Sequence, residues 1–296
     1  MNSKINFLGI LVLLFIVSCT KSNVPKAYLI GIEEFKELSE KSHVKIIDFR
    51  KVAAYNKGHI KNSIQIWRSD IEDHSFPYGG MKASKEQLEV LFSKLGIANE
   101  DTLLVFDDKG QCDAARLWWV LQYYNFKNVK LLDGGFSTVK TANIPLTKSK
   151  TFIKPTEFSF STKVNKQFYA SKEQLNKAVE NGAIIVDTRT SEEYLGKTLK
   201  KGAFLNGKIL NSQLLDWANA INYSGDKKLK TKLQLEEIYA KIGAKKNDTI
   251  FVYCHSGVRS AHTTFVLTQL LGYKHVLNYD GSWTEWSYYK KNEQEK

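Results

Sequence analysis

The sequence predicts an α/β protein made of two tandem domains, each a parallel sheet flanked by helices. Three observations carry that prediction. Short apolar or β-branched runs alternate with segments of helical period along the chain, the pattern of buried parallel strands joined by helical crossovers. The pattern also occurs twice. "VKIIDFR" (Val44 to Arg50) is echoed by "AIIVDTR" (Ala183 to Arg189), with the aspartates 139 residues apart. "DTLLVFD" (Asp101 to Asp107) is echoed by "DTIFVYC" (Asp248 to Cys254), and "NVKLLDGG" from Asn128 by "HVLNYDGS" from His275, both at 147 residues. Finally, 296 residues suit two domains of ordinary size. The constant second shift means one unit used twice, with about eight extra residues between Arg189 and Asp248. Two copies make a pseudo-symmetric pair and are too few for a solenoid.

Each element follows from its local pattern. In the first copy, "IEEFKELSEK" places Ile32, Phe35 and Leu38 on one helical face, and "VKIIDF" is a short strand. "SKEQLEVLFSKLG" opens on Ser84 with Gln87 three residues later, a capping box, and closes on Gly96. "TLLVFD" is an apolar strand, "DAARLWWVLQYY" a helix with Trp118 and Trp119 in its core, and "VKLL" a further strand. The second copy repeats the order with "SKEQLNKAVENG", "AIIVDT", "TKLQLEEIYAKIG", "TIFVYC", "RSAHTTFVLTQLLG" and "HVLNY". The first domain is expected over 27–145, an exposed linker marked by Pro155 and lysines over 146–165, and the second domain over 166–291.

Composition narrows the classes. Hydrophobic content of 43% and charged content of 25% are those of a globular protein. The net charge of +12 is spread without an Arg/Lys block or a basic stripe with interleaved aromatics, which argues against nucleic-acid binding. A diffuse positive field still attracts small anions and anionic lipid. The first residues, "MNSKINFLGILVLLFIVSC", hold a lysine and then an apolar run from Phe7 to Val17. That run is too short for a membrane span and suits the core of a secretory signal. Its end in "IVSC" resembles a bacterial lipoprotein signal. The resemblance implies a signal peptide over 1–18, lipidation of Cys19, a polar tether over 19–26 and a membrane-anchored place in the cell envelope. Only Cys112 and Cys254 then remain, too few for a disulfide framework in an exported chain. Neither a metal-ligand cluster nor a Gly-rich phosphate loop stands out, so no cofactor is expected.

The chemistry concentrates in "YCHSGVRSAHTTF" (Tyr253 to Phe265). Cys254 ends an apolar strand, where ligands of parallel sheets bind. Between it and a helix expected near Ser260 lie His255, Ser256, Gly257, Val258 and Arg259. Gly257 permits a loop whose N–H groups turn inward, the helix adds its positive end, and Arg259 adds a charge. Such surroundings stabilise a thiolate and attract an anion. His255 adds polarity, and a charge if protonated. Apolar packing of a structural cysteine calls for neither Gly nor Arg here.

"CHSGVRSA" after "IFVY", with "NYDGSWTEW" downstream, resembles the active-site region of two-domain rhodaneses, which are sulfurtransferases. "KGHIKNSIQI", "FDDKGQCDAARLWW" and "LLDGG" resemble that family's non-catalytic first domain, and "VDTRTSEEYLG" and "YDGSWTEW" its catalytic second domain. The resemblance implies that Cys254 takes the outer sulfur of a small anionic donor as a persulfide and passes it to a thiol or cyanide. It implies donor binding by Arg189 and Arg259; the alternative for Arg189 is a structural salt bridge to Asp187 or Glu193. Phosphatases of the same fold place five residues between Cys and Arg. Here four intervene, a tighter bowl that suits sulfur.

The first copy holds Asp107 where the second holds Cys254, and a carboxylate forms no persulfide, so the first domain is expected to be an inactive wall of the cleft. Cys112 is either a buried small side chain or the partner of Cys254 in a reversible disulfide. His59 is expected to fix a turn, His262 to pack, and Trp283 and Trp286 to pack or line the cleft. The donor is expected to be thiosulfate, with 3-mercaptopyruvate as the alternative. His255–Ser256 mixes the two patterns, and positions matching a first-domain Asp and His of animal mercaptopyruvate enzymes hold Trp67 and Gly80. The second domain also lacks a clear counterpart of "GHI". A non-enzymatic sulfur-carrier or binding module remains the alternative of a different class.

Overall fold

The computed structural model describes residues 28–295. The signal segment 1–18, Cys19 and the tether 19–26 lie outside the described residues. The first half runs β1 (Leu29–Ile30), α1 (Ile32–Ser39), β2 (Val44–Asp48), α2 (Val52–Lys57), β3 (His59–Ile60), β4 (Ile64–Gln65), α3 (Lys85–Lys94), β5 (Thr102–Phe106), α4 (Cys112–Tyr123), β6 (Val129–Leu132), α5 (Gly135–Thr141) and β7 (Leu146–Thr147). The second half runs β8 (Tyr169–Ala170), α6 (Lys172–Glu180), β9 (Ile184–Asp187), α7 (Ser191–Tyr194), β10 (Gln213–Leu214), α8 (Lys232–Ala240), β11 (Thr249–Tyr253), α9 (Val258–Phe265), β12 (His275–Tyr279) and α10 (Ser282–Gln294).

Each half folds one all-parallel five-stranded sheet. The order is β1-β6-β5-β2-β4 in the first and β8-β12-β11-β9-β10 in the second. The two orders are the same once the copies are aligned, so the sequence repeat is a repeat of topology. The strands bury both faces under helices, as their unbroken apolar character requires. Four helices open on a reciprocal capping box: Ser84–Gln87, Ser171–Gln174, Thr190–Glu193 and Thr231–Gln234. Each cap stabilises its helix start by about 1 kcal/mol.

The domains meet through α4 and α9, the helices that follow the two equivalent strand ends. Trp118 stands edge-on to Phe265 at 5.0 Å, and Ala261 and Phe265 belong to the first domain's apolar core. The loop before α9 and its degenerate counterpart before α4 therefore both lie beside the interface.

Three local features differ from expectation. The segment 146–165 is not a free crossing: β7 pairs with β3, and Phe158 and Phe160 are buried against Phe92. Two apolar rings outweigh the proline and lysines that signalled exposure. Helix α9 starts at Val258, because Gly257 adopts a left-handed conformation (φ 75°) and caps it. It then continues into a π-helical turn over Val266–Leu270. The extra residues of the second copy fall between α7 and β10, where β3 has no counterpart.

Candidate active site

Strand β11 carries Cys254 to the carboxyl end of the second sheet, where the thiol is 1% exposed. Burial alone raises a thiol's pKa. Here the Arg259 charge, the Ser260 hydroxyl and the N–H groups of Ser260 and Ser256 outweigh it, and the net shift is downward. The Ser260 hydroxyl is fully buried with no hydrogen-bond partner of its own, and it lowers the thiol's pKa. The loop thus stabilises a thiolate with neutral dipoles and one charge.

The backbone of the loop is pinned from behind. Ser282 Oγ accepts the N–H groups of Cys254 (3.1 Å) and Gly257 (3.0 Å) and donates to the Tyr279 carbonyl. Ser282 holds a left-handed φ of 52°, a conformation that costs a non-glycine residue free energy. The equivalent position in the first copy is Gly135, at φ 53°. A side chain is kept in a glycine conformation where its hydroxyl holds two loop amides. At Gly257 an added Cβ would stand 2.5 Å from the Asp280 carbonyl, so both φ and space demand glycine.

The charged residues are arranged differently from expectation. Arg259 forms a bidentate pair with Glu193 at 2.6 and 2.8 Å. Glu193 is buried, which opposes its ionisation, yet the guanidinium holds its carboxyl down to about 2. Arg189 is committed elsewhere. It is 2% exposed, forks onto Asp187 (2.6 Å), donates to the Gly207 carbonyl and lies over the Trp283 ring. Arg50 makes the same pair with Asp48 and the carbonyl of Gly58 in the first domain, where Asp107 stands in place of Cys254. The Asp-x-Arg pair therefore recurs in both halves of the fold, and Arg189 makes the salt bridge to Asp187 that was its structural alternative.

His255 also takes a different part. Burial, then the charges of Lys200 and Arg259, lowers its pKa to about 4, so the ring is neutral near pH 7 and adds no charge. Its Nε2 lies 3.0 Å from the Lys201 carbonyl, which makes Nε2 the protonated nitrogen.

The site gains two residues the sequence did not single out, Lys200 and Lys201, both from the extra segment between α7 and β10. Lys200 keeps its ammonium 4.0 Å from Glu193 and half exposed. The charges of Arg259 and Cys254 both act on it. No motif marks these lysines, because the segment has no mirror in the first copy.

The degenerate site fits the same frame. Asp107 stands where Cys254 does, and its carboxylate accepts four backbone N–H groups, from Lys109, Gln111, Asp113 and Ala114, at 2.7–3.0 Å. Cys112, not an arginine, occupies the position of Arg259. Both cysteines are buried and free, and burial with the neighbouring Asp113 pushes the Cys112 thiol up. His59 bridges the carbonyls of Tyr55 and Ser149, and His262 packs edge-on to Trp217. Trp283 and Trp286 pack beside Tyr253 and Tyr279, with the Trp283 N–H on the Leu205 carbonyl. Among the described residues, no group of three or more His, Cys, Asp or Glu is set to hold a metal ion.

Comparison with known proteins agrees with this architecture. The family model of the rhodanese-like domain matches residues 31–142 and again 171–288. A "Sulfur carrier protein TtuD" of Thermus thermophilus is 32% identical over 270 residues, 87% of this chain and 93% of that protein. A "Thiosulfate sulfurtransferase" of Corynebacterium glutamicum is 31% identical over 245 residues, 78% of each chain. Among solved structures, the 3-mercaptopyruvate sulfotransferase SseA of Escherichia coli superposes with a TM-score of 0.74 at 25% identity, covering 87% of this chain and 99% of that one. With its two matched domains and its buried thiol in a loop of inward amides, the chain belongs to the rhodanese family and is a sulfurtransferase.

Proposed function

We propose that this sulfurtransferase takes the sulfane sulfur of thiosulfate onto Cys254 and passes it to a thiophilic acceptor. In the first half-reaction the Cys254 thiolate attacks the outer sulfur. The sulfur–sulfur bond breaks, sulfite leaves with the electron pair, and a Cys254 persulfide remains. In the second, cyanide or a thiolate attacks the outer persulfide sulfur and the Cys254 thiolate is restored. The inward N–H groups of Ser256 and Ser260 act on charge held at sulfur in both steps.

The observation that carries the choice of donor is the placement of cations. Arg189, Arg259 and Arg68 are each engaged at 2.6 Å, with Asp187, Glu193 and Asp113. Lys200 stands farther from its carboxylate. Burial, then the Arg259 charge, lowers its pKa, a cost that a bound dianion would offset. Against Ser256 lies Gly80, which offers no side chain to a keto acid. Relatives named for thiosulfate support the same reading.

The test is a mass spectrum after thiosulfate treatment, followed by kinetics. A gain of one sulfur, absent in Cys254→Ser, is expected, with kcat/KM for thiosulfate above that for 3-mercaptopyruvate. Lys200→Ala should raise the KM for thiosulfate about tenfold. A clear mercaptopyruvate preference would refute the donor assignment. The relative named as a sulfur carrier favours a second reading, in which the persulfide forms but no thiocyanate is released with cyanide.

A further inference from the structure

The catalytic loop is held from outside its own domain, and the internal repeat isolates what is special about that hold. Two aspartates, Asp133 after β6 and Asp280 after β12, occupy equivalent positions 147 residues apart. Each accepts a backbone N–H from the opposite domain: Leu229 to Asp133 at 3.0 Å, and Lys82 to Asp280 at 3.2 Å. Leu229 and Lys82 are again 147 apart, so the clasp is a symmetric pair. Only the half at the living site has an addition. Arg116 of α4, 1% exposed, pairs with Asp280 at 2.6 Å and donates to the carbonyls of Gly80 (2.8 Å) and Gly257 (3.4 Å). Its counterpart at the degenerate site is Thr263.

We propose that Arg116, supplied by the first domain, is a positioning residue for sulfur transfer that fixes the orientation of the Gly257–Val258 peptide in the catalytic loop. The N–H of Gly257, on the preceding peptide, is taken by Ser282 Oγ, and the Gly257 carbonyl is drawn away by Arg116, by Asn278 Nδ2 at 3.2 Å and by the Ala261 N–H at 3.3 Å. A left-handed glycine peptide rotates with little steric cost. Turned over, its carbonyl dipole would oppose the thiolate that the loop amides stabilise. The same guanidinium holds the Gly80 carbonyl, and Gly80 lies against Ser256, whose N–H also serves the sulfur. The degenerate loop needs no such hold, because the Asp107 carboxylate gathers its own amides.

This inference rests on the sulfur-transfer reading, so wild-type loading by thiosulfate is measured first; its absence would sink that reading itself. The double variant Arg116→Met/Asp280→Asn removes both charges together and leaves no buried ion unpaired. Its Cys254 alkylation by iodoacetamide should show a midpoint displaced upward by about one pH unit, with persulfide formation slowed about tenfold or more at neutral pH. Arg116→Lys, which keeps a charge for Asp280 but loses the fork, should fall between. Asp133→Asn loosens the mirror clasp and should lower the melting temperature while leaving the alkylation profile unchanged. A wild-type profile in the folded double variant, or the same displacement in Asp133→Asn, overturns the proposal. If the double variant does not fold, a wild-type profile in Arg116→Lys does so.

Discussion

At the scale of single residues, the thiol of Cys254 is only 1% exposed, so its ionisation depends mainly on a few fixed groups. Arg259 is the charged one, and it stays in place because Glu193 grips both of its terminal nitrogens. Replacing Arg259 by Gln removes the charge and should raise the Cys254 midpoint by one unit or more, each unit being about 1.4 kcal/mol of lost thiolate stabilisation. The rate of persulfide formation at neutral pH should fall about tenfold or more. In the wild type the rate should rise with pH through one ionisation below the ordinary thiol value, with no second inflection near 6.5, because the His255 ring is already neutral above about 4. An inflection there that disappears in His255→Asn would assign a proton-transfer role to the imidazole. Cys254, Gly257 and Arg259 were legible in the sequence because strand end, left-handed glycine and charge have no joint role in packing. The orientation of Arg189 was less legible, since a basic residue two positions after an aspartate reads alike whether it turns outward to an anion or back onto its neighbour. Only the repeated pair at Arg50 separates the two, and it does so once both side chains are seen to fold back.

Between elements, the two equivalent loops show how one frame serves opposite ends. The cradle before α9 leaves its amides for sulfur, and the cradle before α4 fills itself with Asp107. Burial and the adjacent Asp113 push the Asp107 carboxyl up to about 6, against the pull of the amides. Asp107→Ala would strip four buried N–H groups of their acceptor, at a cost of about 3–5 kcal/mol if water replaces part of the bonding. For a chain of this size that lowers the melting temperature by roughly 10 °C. Sulfur transfer per folded molecule should persist, and a loss of transfer without a loss of stability would contradict the structural role given to Asp107. Asp107→Cys should gain no second sulfur site, because Cys112 stands where the loop would need its arginine. The elements themselves were readable wherever periodicity met a chemical stop: the capping boxes at Ser84, Ser171 and Thr231 begin helices where the sequence places them. The segment carrying Lys200 was not readable as part of the site. It has neither regular period nor internal mirror, and what places it is the His255 bond to Lys201.

At the scale of the whole molecule, the first domain covers and holds the second, and the cover has a consequence for acid stability. His262 of α9 is fully buried near the first domain's Gly110 backbone and edge-on to Trp217. Burial drives its pKa down to about 3, with the Gly110 backbone offsetting only part of the shift. An unfolded histidine titrates near 6.5, so between about 6.5 and 3 the unfolded chain holds a proton at this position that the native chain does not. Native stability from this residue is therefore intact above 6.5 and falls by about 1.4 kcal/mol per pH unit below it. Carboxyls pushed upward by burial, Asp107 among them, work in the opposite direction over part of that range. The informative quantity is thus a difference between two proteins that share those carboxyls. His262→Phe keeps an aromatic ring against Trp217 and removes the titration. Relative to that variant, the wild type should lose about 2 kcal/mol between pH 7 and pH 5, read as the change in denaturant midpoint multiplied by the common slope. Equal losses in the two proteins would mean that acid opens the interface and hydrates His262 before the chain unfolds. The clasp of Asp133 and Asp280 would then be the weaker link, and Asp133→Asn should bring that opening to higher pH.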